Sequence, residues 1–481
     1  MKLLLRGHDD RYAVEQLQLA LFPDEPMESA DAPFSGDGAI SALSSGKVFL
    51  TAAAKITLGG KTGYAQRRMK LSQADVASRR RLLQNAYYAA AMALREPPQW
   101  GSLSGVRPTK LATRHLLTGG SRKSAEKLMR ETYHVSPPRT RLCVEASLAT
   151  VQAASRLRER DISLYIGIPF CPTRCSYCSF VSASIEKLHD LLPQYLDALE
   201  REIEHVGKLI KSSGRRVRTL YIGGGTPTTL STSQMQRLMD VIARNFDLTE
   251  LIEYTVEGGR PDTLSLTKLK AIRDGGCDRM SINPQTMNDA VLECIGRRHT
   301  GKQTVDAYRD AVKAGFSGIN MDLIAGLPSD TPQSFADSLE QVLALAPSNI
   351  TVHTLALKKG ADLFFERFRL PTAQEVEQML LFAERRLRES GYRPYYLYRQ
   401  KYMSGSFENV GWCKPGFEGL YNIYMMEELH SIVSLGGGGM TKINLPDGRL
   451  ERFHNPKFPQ QYIERIEDIL QQKDAAFALL P

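Results

Sequence analysis

Between residues 160 and 357 the chain repeats one pattern: a short apolar segment, a turn, then an amphipathic helical stretch. Strands are expected at Ser163–Ile168, Arg218–Ile222, Ile252–Val256, Arg279–Ile282, Gly318–Ile324 and Ile350–Leu355, with helical periodicity between them, as in Gln234–Phe246 and Ser334–Leu345. Repeated βα units bury each strand on both faces. They therefore imply an α/β fold with a parallel sheet, open or closed into a barrel. In such sheets ligands gather at the C-terminal strand ends, so chemistry-bearing residues are sought there.

The flanks read differently. Residues 1–66 suggest a small α+β subdomain: a strand at Met1–Gly7, a helix at Tyr12–Phe22, a loop over Ser29–Gly46, and a hairpin from Gly46–Thr57 and Thr62–Arg67 around Gly59-Gly60. Residues 67–160 are mostly helical. Residues 161–365 form the βα core. Residues 366–481 hold a helix at Ala373–Ser390, a Tyr- and Gly-rich stretch and a last helix near Gln460–Gln472, expected to act as a substrate or lid region. The length of 481 residues fits several domains.

Seven cysteines are present. Three crowd together in Tyr165-Ile-Gly-Ile-Pro-Phe-Cys171-Pro-Thr-Arg-Cys175-Ser-Tyr177-Cys178, directly after the first strand of the core. Cys143, Cys277, Cys294 and Cys413 stand alone and read as ordinary thiols. The absence of an apolar leader or a bilayer-length apolar run points to the cytoplasm, where tight cysteine spacing means metal rather than disulfide. Zinc ribbons usually carry two C-x2-C pairs, and no second pair exists here. Three thiolates on one loop suit three irons of a [4Fe–4S] cluster, leaving the fourth iron open to another ligand. Cys171, Cys175 and Cys178 are the expected metal ligands.

The C-x3-C-x-Φ-C spacing, with Tyr177 before the last cysteine, resembles the radical S-adenosylmethionine (SAM) signature. One βα unit later, Tyr221-Ile-Gly223-Gly224-Gly225-Thr226-Pro227 is similar to the glycine motif that passes the SAM amino group. Within that superfamily the chain resembles oxygen-independent coproporphyrinogen III dehydrogenases, and most closely a HemZ-type branch. The likeness extends through Gly7-His8-Asp9, Gly105-Val-Arg-Pro-Thr109, Glu257-Gly-Gly-Arg-Pro261, Val352-His-Thr-Leu-Ala-Leu357, Tyr398-Arg-Gln-Lys401 and Glu408-Asn-Val-Gly411. The resemblance implies a partial (β/α)6 barrel holding a [4Fe–4S] cluster and SAM. It implies a SAM site of Tyr165, Tyr177, Gly224, Gly225, Thr226, Glu257, Gln285, Arg297, Asp322 and Ala356. In such a site carboxylates accept from the SAM amino group or ribose, and arginine pairs with its carboxylate.

The implied reaction is oxidative decarboxylation of coproporphyrinogen III to protoporphyrinogen IX. Alternatives are another tetrapyrrole, such as iron coproporphyrin or haem, or haem trafficking without turnover. The implied partners are the tetrapyrrole and an electron donor such as flavodoxin or ferredoxin, acting on a monomer. A tetracarboxylate also needs cations, for which Arg260, Arg298, Lys358, Lys359, Arg399 and Lys401 are candidates. Two departures stand out. Phe180 occupies the place of the dehydrogenases' fourth cysteine. The haem-trafficking His-Asn-x-x-Tyr-Trp segment has only Tyr398-Arg-Gln-Lys-Tyr402-Met403 as a counterpart.

The net charge of +9 permits a polyanionic partner without requiring one. The runs Arg67-Arg68-Met69-Lys70 and Arg79-Arg80-Arg81 read first as solvated helix faces. Nucleic acid or an acidic substrate is the alternative reading of these runs, with an RNA-modifying enzyme as a third function class, while tetrapyrrole is preferred to nucleic acid as partner and no membrane is expected.

Overall fold

A computed structural model describes residues 1–22, 25, 27–103, 105, 107–173, 175–178, 183–356, 368–399 and 407–481. The chain divides into two compact units, Met1–Val144 and Glu145–Pro481. Phe180, Lys358, Lys359 and 400–406 lie outside the described residues.

In the first unit, β1 (Lys2–Arg6), β2 (Gly38–Ser45), β3 (Phe49–Leu58) and β4 (Lys61–Lys70) lie side by side in that order. The short segment Glu28–Ser29 borders β1. β1 and β2 run parallel; β2–β3 and β3–β4 are antiparallel. Helices α1 (Arg11–Leu21) and α2 (Val76–Ala91) supply Val14, Leu17, Leu83 and Tyr87, which pack with Leu3, Ala39, Ala52 and Ile56 on one face of this sheet. Asp75 caps α2 by accepting from the Ser78 amide. β2 corrects the expected loop over Ser29–Gly46. Its sequence, Gly-Ala-Ile-Ser-Ala-Leu-Ser-Ser, reads as loop by composition. Neighbouring strands on both sides nonetheless satisfy its backbone, and small residues suit a strand lying beneath helices.

The second unit carries the expected core. Its strands are β5 (Asp161–Ile168), β6 (Arg216–Gly224), β7 (Glu253–Glu257), β8 (Arg279–Ser281), β9 (Gly318–Ala325) and β10 (Asn349–Thr354). All six are parallel and adjacent in sequence order. Several of the helices between them start on side-chain caps. Ser231 and Thr300 each form a reciprocal box with the glutamine three residues on. Helix α3 (Leu191–Ser213) ends on left-handed Gly214. The strands and helices interlock through apolar side chains: Leu164, Ile166, Leu199, Ile203, Leu220, Ile222, Leu238, Val256 and Met280 share one core.

The sheet extends beyond these six strands without closing into a barrel. After α4 (Ala373–Glu389), β11 (Arg393–Arg399) and β12 (Glu408–Cys413) add antiparallel strands beside β10. After α5 (Leu420–Glu427), β13 (Ile432–Gly436) pairs in parallel with β5, and β14 (Met440–Asn444) and β15 (Leu450–His454) continue outward. The last helix, α6 (Ile466–Ala478), inserts fully buried Lys473, which lies 3.2 Å from Glu202 of α3. Among the described residues no helix is long and apolar enough to cross a membrane.

Candidate functional site

The cysteine loop is built by the strand ends around it. Gly225 N donates to Ile168 O at 2.9 Å and Thr226 N to Phe170 O at 2.7 Å, so the glycine motif fastens the chain as it enters Cys171. Thr226 Oγ1 lies 3.5 Å from Cys171 Sγ. Farther along, Cys178 N donates to Cys175 O and Ser176 N to Ile295 O. Tyr177 packs against the cluster of Val291, Leu292, Ile295, Ile324, Leu327 and Leu355.

The glycines are required by close approach. A Cβ on Gly225 would lie 2.5 Å from Phe170 O and 2.9 Å from Cys171 Sγ. A Cβ on Gly223 would lie 2.9 Å from Glu257 Oε2, and Gly224 sits at φ +117°. Only residues without side chains let the strand end form this cradle.

Glu257, at the end of β7, accepts from the Tyr221 hydroxyl at 2.5 Å and from the Gly224 amide at 3.2 Å. Burial pushes its carboxyl up to about 7, the nearby Asp322 pushes the same way, and the Tyr221 and Gly224 bonds only partly oppose them. Burial also acts to raise Asp322. His353, with Nε2 3.7 Å from Oδ2, and the Asn320 amide, 2.7 Å from Oδ1, more than offset it and hold that carboxyl below its ordinary range.

Gln285 adopts φ +69°, uncommon for a side-chain-bearing residue. Its backbone is held by β9: its N donates to Asp322 O and its O accepts from Ile324 N, both at 2.9 Å. Its Oε1 is buried without a partner. Arg297 donates to Asn283 O at 2.8 Å and Tyr177 Oη at 3.1 Å.

Cys171, Cys175, Cys178, Tyr177, Gly224, Gly225, Thr226, Glu257, Gln285, Arg297, Asp322 and Ala356 all line one cavity of about 320 Å³. Tyr165 does not. Its half-buried ring lies 6.2 Å from Tyr221 and 6.3 Å from Tyr421. The sequence reading gave no role to Asn283, His353, Tyr398 or Asn409, which also line the cavity. Three of these four fall in segments quoted for the family likeness, and His353 is a polar interruption of an apolar strand. Tyr421 stacks on Tyr221 at 4.5 Å from a helix without any motif, and no sequence signal marks it.

The cations suggested for a tetracarboxylate fare unevenly. Arg260 lines the cavity but is committed to Asp262 through two bonds and to Thr173 through a third. Arg298 is exposed and paired with Glu186. Arg399 is buried beside Glu408, and burial lowers its guanidinium to about 10. Lys358, Lys359 and Lys401 lie outside the described residues.

The residues present fit a cluster and SAM. Gly224 and Gly225 present backbone to the cavity, and the orphaned Gln285 Oε1 awaits a donor. Among the described residues no three His, Cys, Asp or Glu side chains stand close enough to share a single ion. A cubane gives each thiolate its own iron, so its ligands stand apart.

Known proteins agree with this geometry. Residues 165–342 match the Radical SAM superfamily. Over 382 residues the chain is 39% identical to the oxygen-independent coproporphyrinogen-III oxidase-like protein HemZ of Bacillus subtilis (strain 168), spanning 78% of this chain and 76% of that protein. It is 33% identical over 287 residues to the heme chaperone HemW of Lactococcus lactis subsp. lactis (strain IL1403), spanning 58% and 70%. The solved structure of coproporphyrinogen III oxidase (HemN) from Escherichia coli, a radical SAM enzyme, superposes with a TM-score of 0.54 at 28% identity, covering 67% of this chain and 73% of that one. The chain therefore belongs to the radical SAM superfamily, in the family that includes HemZ, HemN and HemW, and its cofactors are a [4Fe–4S] cluster and SAM.

Proposed function

We propose that the chain catalyses oxygen-independent oxidative decarboxylation of coproporphyrinogen III to protoporphyrinogen IX. The observation that carries this reading is the gathering, in one cavity, of three cysteines, the SAM-type residues and a further polar wall of His353, Tyr398 and Asn409. When bound, the cluster and SAM would supply a 5′-deoxyadenosyl radical able to take one hydrogen atom from the β-carbon of a propionate; release of carbon dioxide and transfer of one electron to an external one-electron acceptor would then leave a vinyl group.

The protein's part is binding, orientation and exclusion of water. In this reading Glu257 receives the SAM ammonium, Arg297 faces the SAM carboxylate, and Asp322 accepts from the ribose. Tyr177 and the aliphatic cluster behind it keep water from the cysteine loop. An electron donor of the flavodoxin or ferredoxin kind starts the cycle. The test is anaerobic incubation of reconstituted protein with dithionite, SAM and coproporphyrinogen III, followed by mass spectrometry. Formation of 5′-deoxyadenosine together with a divinyl product is expected. SAM cleavage without decarboxylated product would remove the assignment.

A second reading, haem handling without turnover, is favoured by Phe180 in place of a fourth cysteine and by similarity to a protein named as a heme chaperone. Three thiolates plus SAM complete a cubane, so the missing fourth cysteine does not prevent cluster assembly. If the wild type yields no divinyl product but Phe180→Cys does, or if haem binds stoichiometrically without SAM cleavage, this second reading replaces the first.

A further inference from the structure

The basic run Arg67–Lys70 lies on strand β4, not on a helix, and the register there separates its residues between two faces. Side chains of directly paired antiparallel residues share a face. On one face Ile56 pairs with Gly63 and Ala54 with Ala65, beneath α2, where a Cβ on Gly63 would lie 2.0 Å from Ala90 O. On the other face Phe49 pairs with Lys70, Thr51 with Arg68, Ala53 with Gln66 and Lys55 with Tyr64. Tyr64 is 63% exposed and Phe49 36% exposed, and the Arg68 guanidinium lies over the Phe49 ring at 5.0 Å. Lys55, Arg68 and Lys70 are exposed around them.

The charge is one-sided. Every charged residue of β1 to β4 is Lys or Arg. The whole chain, by contrast, balances 62 basic against 53 acidic residues. Edge strands do carry cations to discourage pairing with other sheets. That need explains Arg68 and Lys70 on the edge strand β4. It does not explain two large aromatic rings left open on the same face, which would make a sheet more adhesive.

We propose that this open face of β3 and β4 binds single-stranded nucleic acid, for which an RNA strand serves as the probe. Splayed bases stack on exposed aromatic rings, and the backbone phosphates pair with the flanking cations. Tyr64 and Phe49 offer the rings; Lys55, Arg68 and Lys70 offer the charge. A duplex keeps its bases stacked inside and gains only the phosphate contacts.

The test uses the full-length purified chain and a fluorescently labelled oligouridine RNA, read by anisotropy across a salt series. Parallel titrations use duplex DNA, polyglutamate and phosphatidylglycerol vesicles. The expected result is saturable RNA binding that exceeds binding to the other three. Tyr64→Ala is expected to weaken it about tenfold. The triple variant Lys55→Gln, Arg68→Gln, Lys70→Gln is expected to reduce the logarithmic salt slope by about 2. All four substitutions are at exposed positions, and unchanged thermal melting verifies folding. Absence of RNA binding at low salt overturns the proposal, as does binding indifferent to Tyr64. Equal or tighter binding to polyglutamate or to the vesicles also overturns it, and assigns the face to an acidic protein or a membrane surface.

Discussion

Tyr221 on β6 donates its phenolic hydrogen to Glu257 on the neighbouring strand β7 across 2.5 Å. Tyr421 stacks on the same ring at 4.5 Å, so the tyrosine that orients the carboxylate is itself clamped from the C-terminal part of the chain. The Tyr221 bond favours the charged carboxylate but only partly opposes the effect of burial. The Glu257 carboxyl sits at about 7 instead of the ordinary 4.5, chiefly because burial disfavours its charge.

That shift makes a prediction about pH. Between about 4.5 and 7 the SAM-free folded protein binds a proton that the unfolded chain has released. Stability therefore falls as pH rises through this window. Glu257→Gln removes the titration. Thermal melts at pH 5 and pH 8 should differ less for the variant than for the wild type, while SAM affinity drops. An unchanged pH dependence would show that Glu257 is not the group responsible.

The cluster assignment is tested by iron content. Wild-type protein reconstituted anaerobically should hold about four irons per chain on the cubane model. Cys178→Ala should lose the brown chromophore. Gly225→Ala should lower iron loading without removing any ligand, because the added methyl would meet Cys171 Sγ at 2.9 Å. Full chromophore in Cys178→Ala would refute the ligand set.

Asp322→Asn should weaken SAM binding by about 1.5–3 kcal/mol, the usual worth of a hydrogen bond to a charged group. Isothermal titration of the reconstituted protein measures it. Loss of porphyrin affinity with unchanged SAM affinity would transfer Asp322 to the substrate.

Gln285 separates backbone from side chain. Glycine accepts φ +69° without strain, so Gln285→Gly should change stability by no more than about 1 kcal/mol. SAM affinity should nevertheless fall, because the cavity loses the orphaned Oε1. Denaturant unfolding and SAM titration together decide; equal SAM affinity would make Gln285 a backbone device only.

The buried pair of Lys473 and Glu202 should resist separation. Glu202 also accepts from Tyr462, Asn455 and the Gly436 amide. Lys473→Met removes the only cation paired with that carboxylate among the described residues, leaving its buried charge uncompensated, and should cost about 3–5 kcal/mol in urea unfolding. A loss below about 1 kcal/mol would show that the carboxylate is relieved by protonation or water.

The strand–helix alternation, the cysteine spacing and the glycine motif were legible in the sequence because each is local. Period and spacing act over a few residues, and a glycine forced by close approach leaves its mark at its own position. The six core strands accordingly lie where the periodicity puts them. What only tertiary structure decided depends on partners far apart in the chain. Ile432 takes its place opposite Ser163, and β12 lies against β10, through ladder pairing that no local pattern encodes. Gly38–Ser45 becomes a strand because two neighbours satisfy its backbone, overriding a loop-like composition. Tyr165, which the family likeness assigns to the SAM site, has its ring set against Tyr221 and Tyr421, partners that lie far along the chain. Arg67 and Arg68 fall on opposite faces because the run is a strand and not a helix, and pairing with β3 sets Arg68 beside Thr51 on the open one, which the run of basic residues does not reveal.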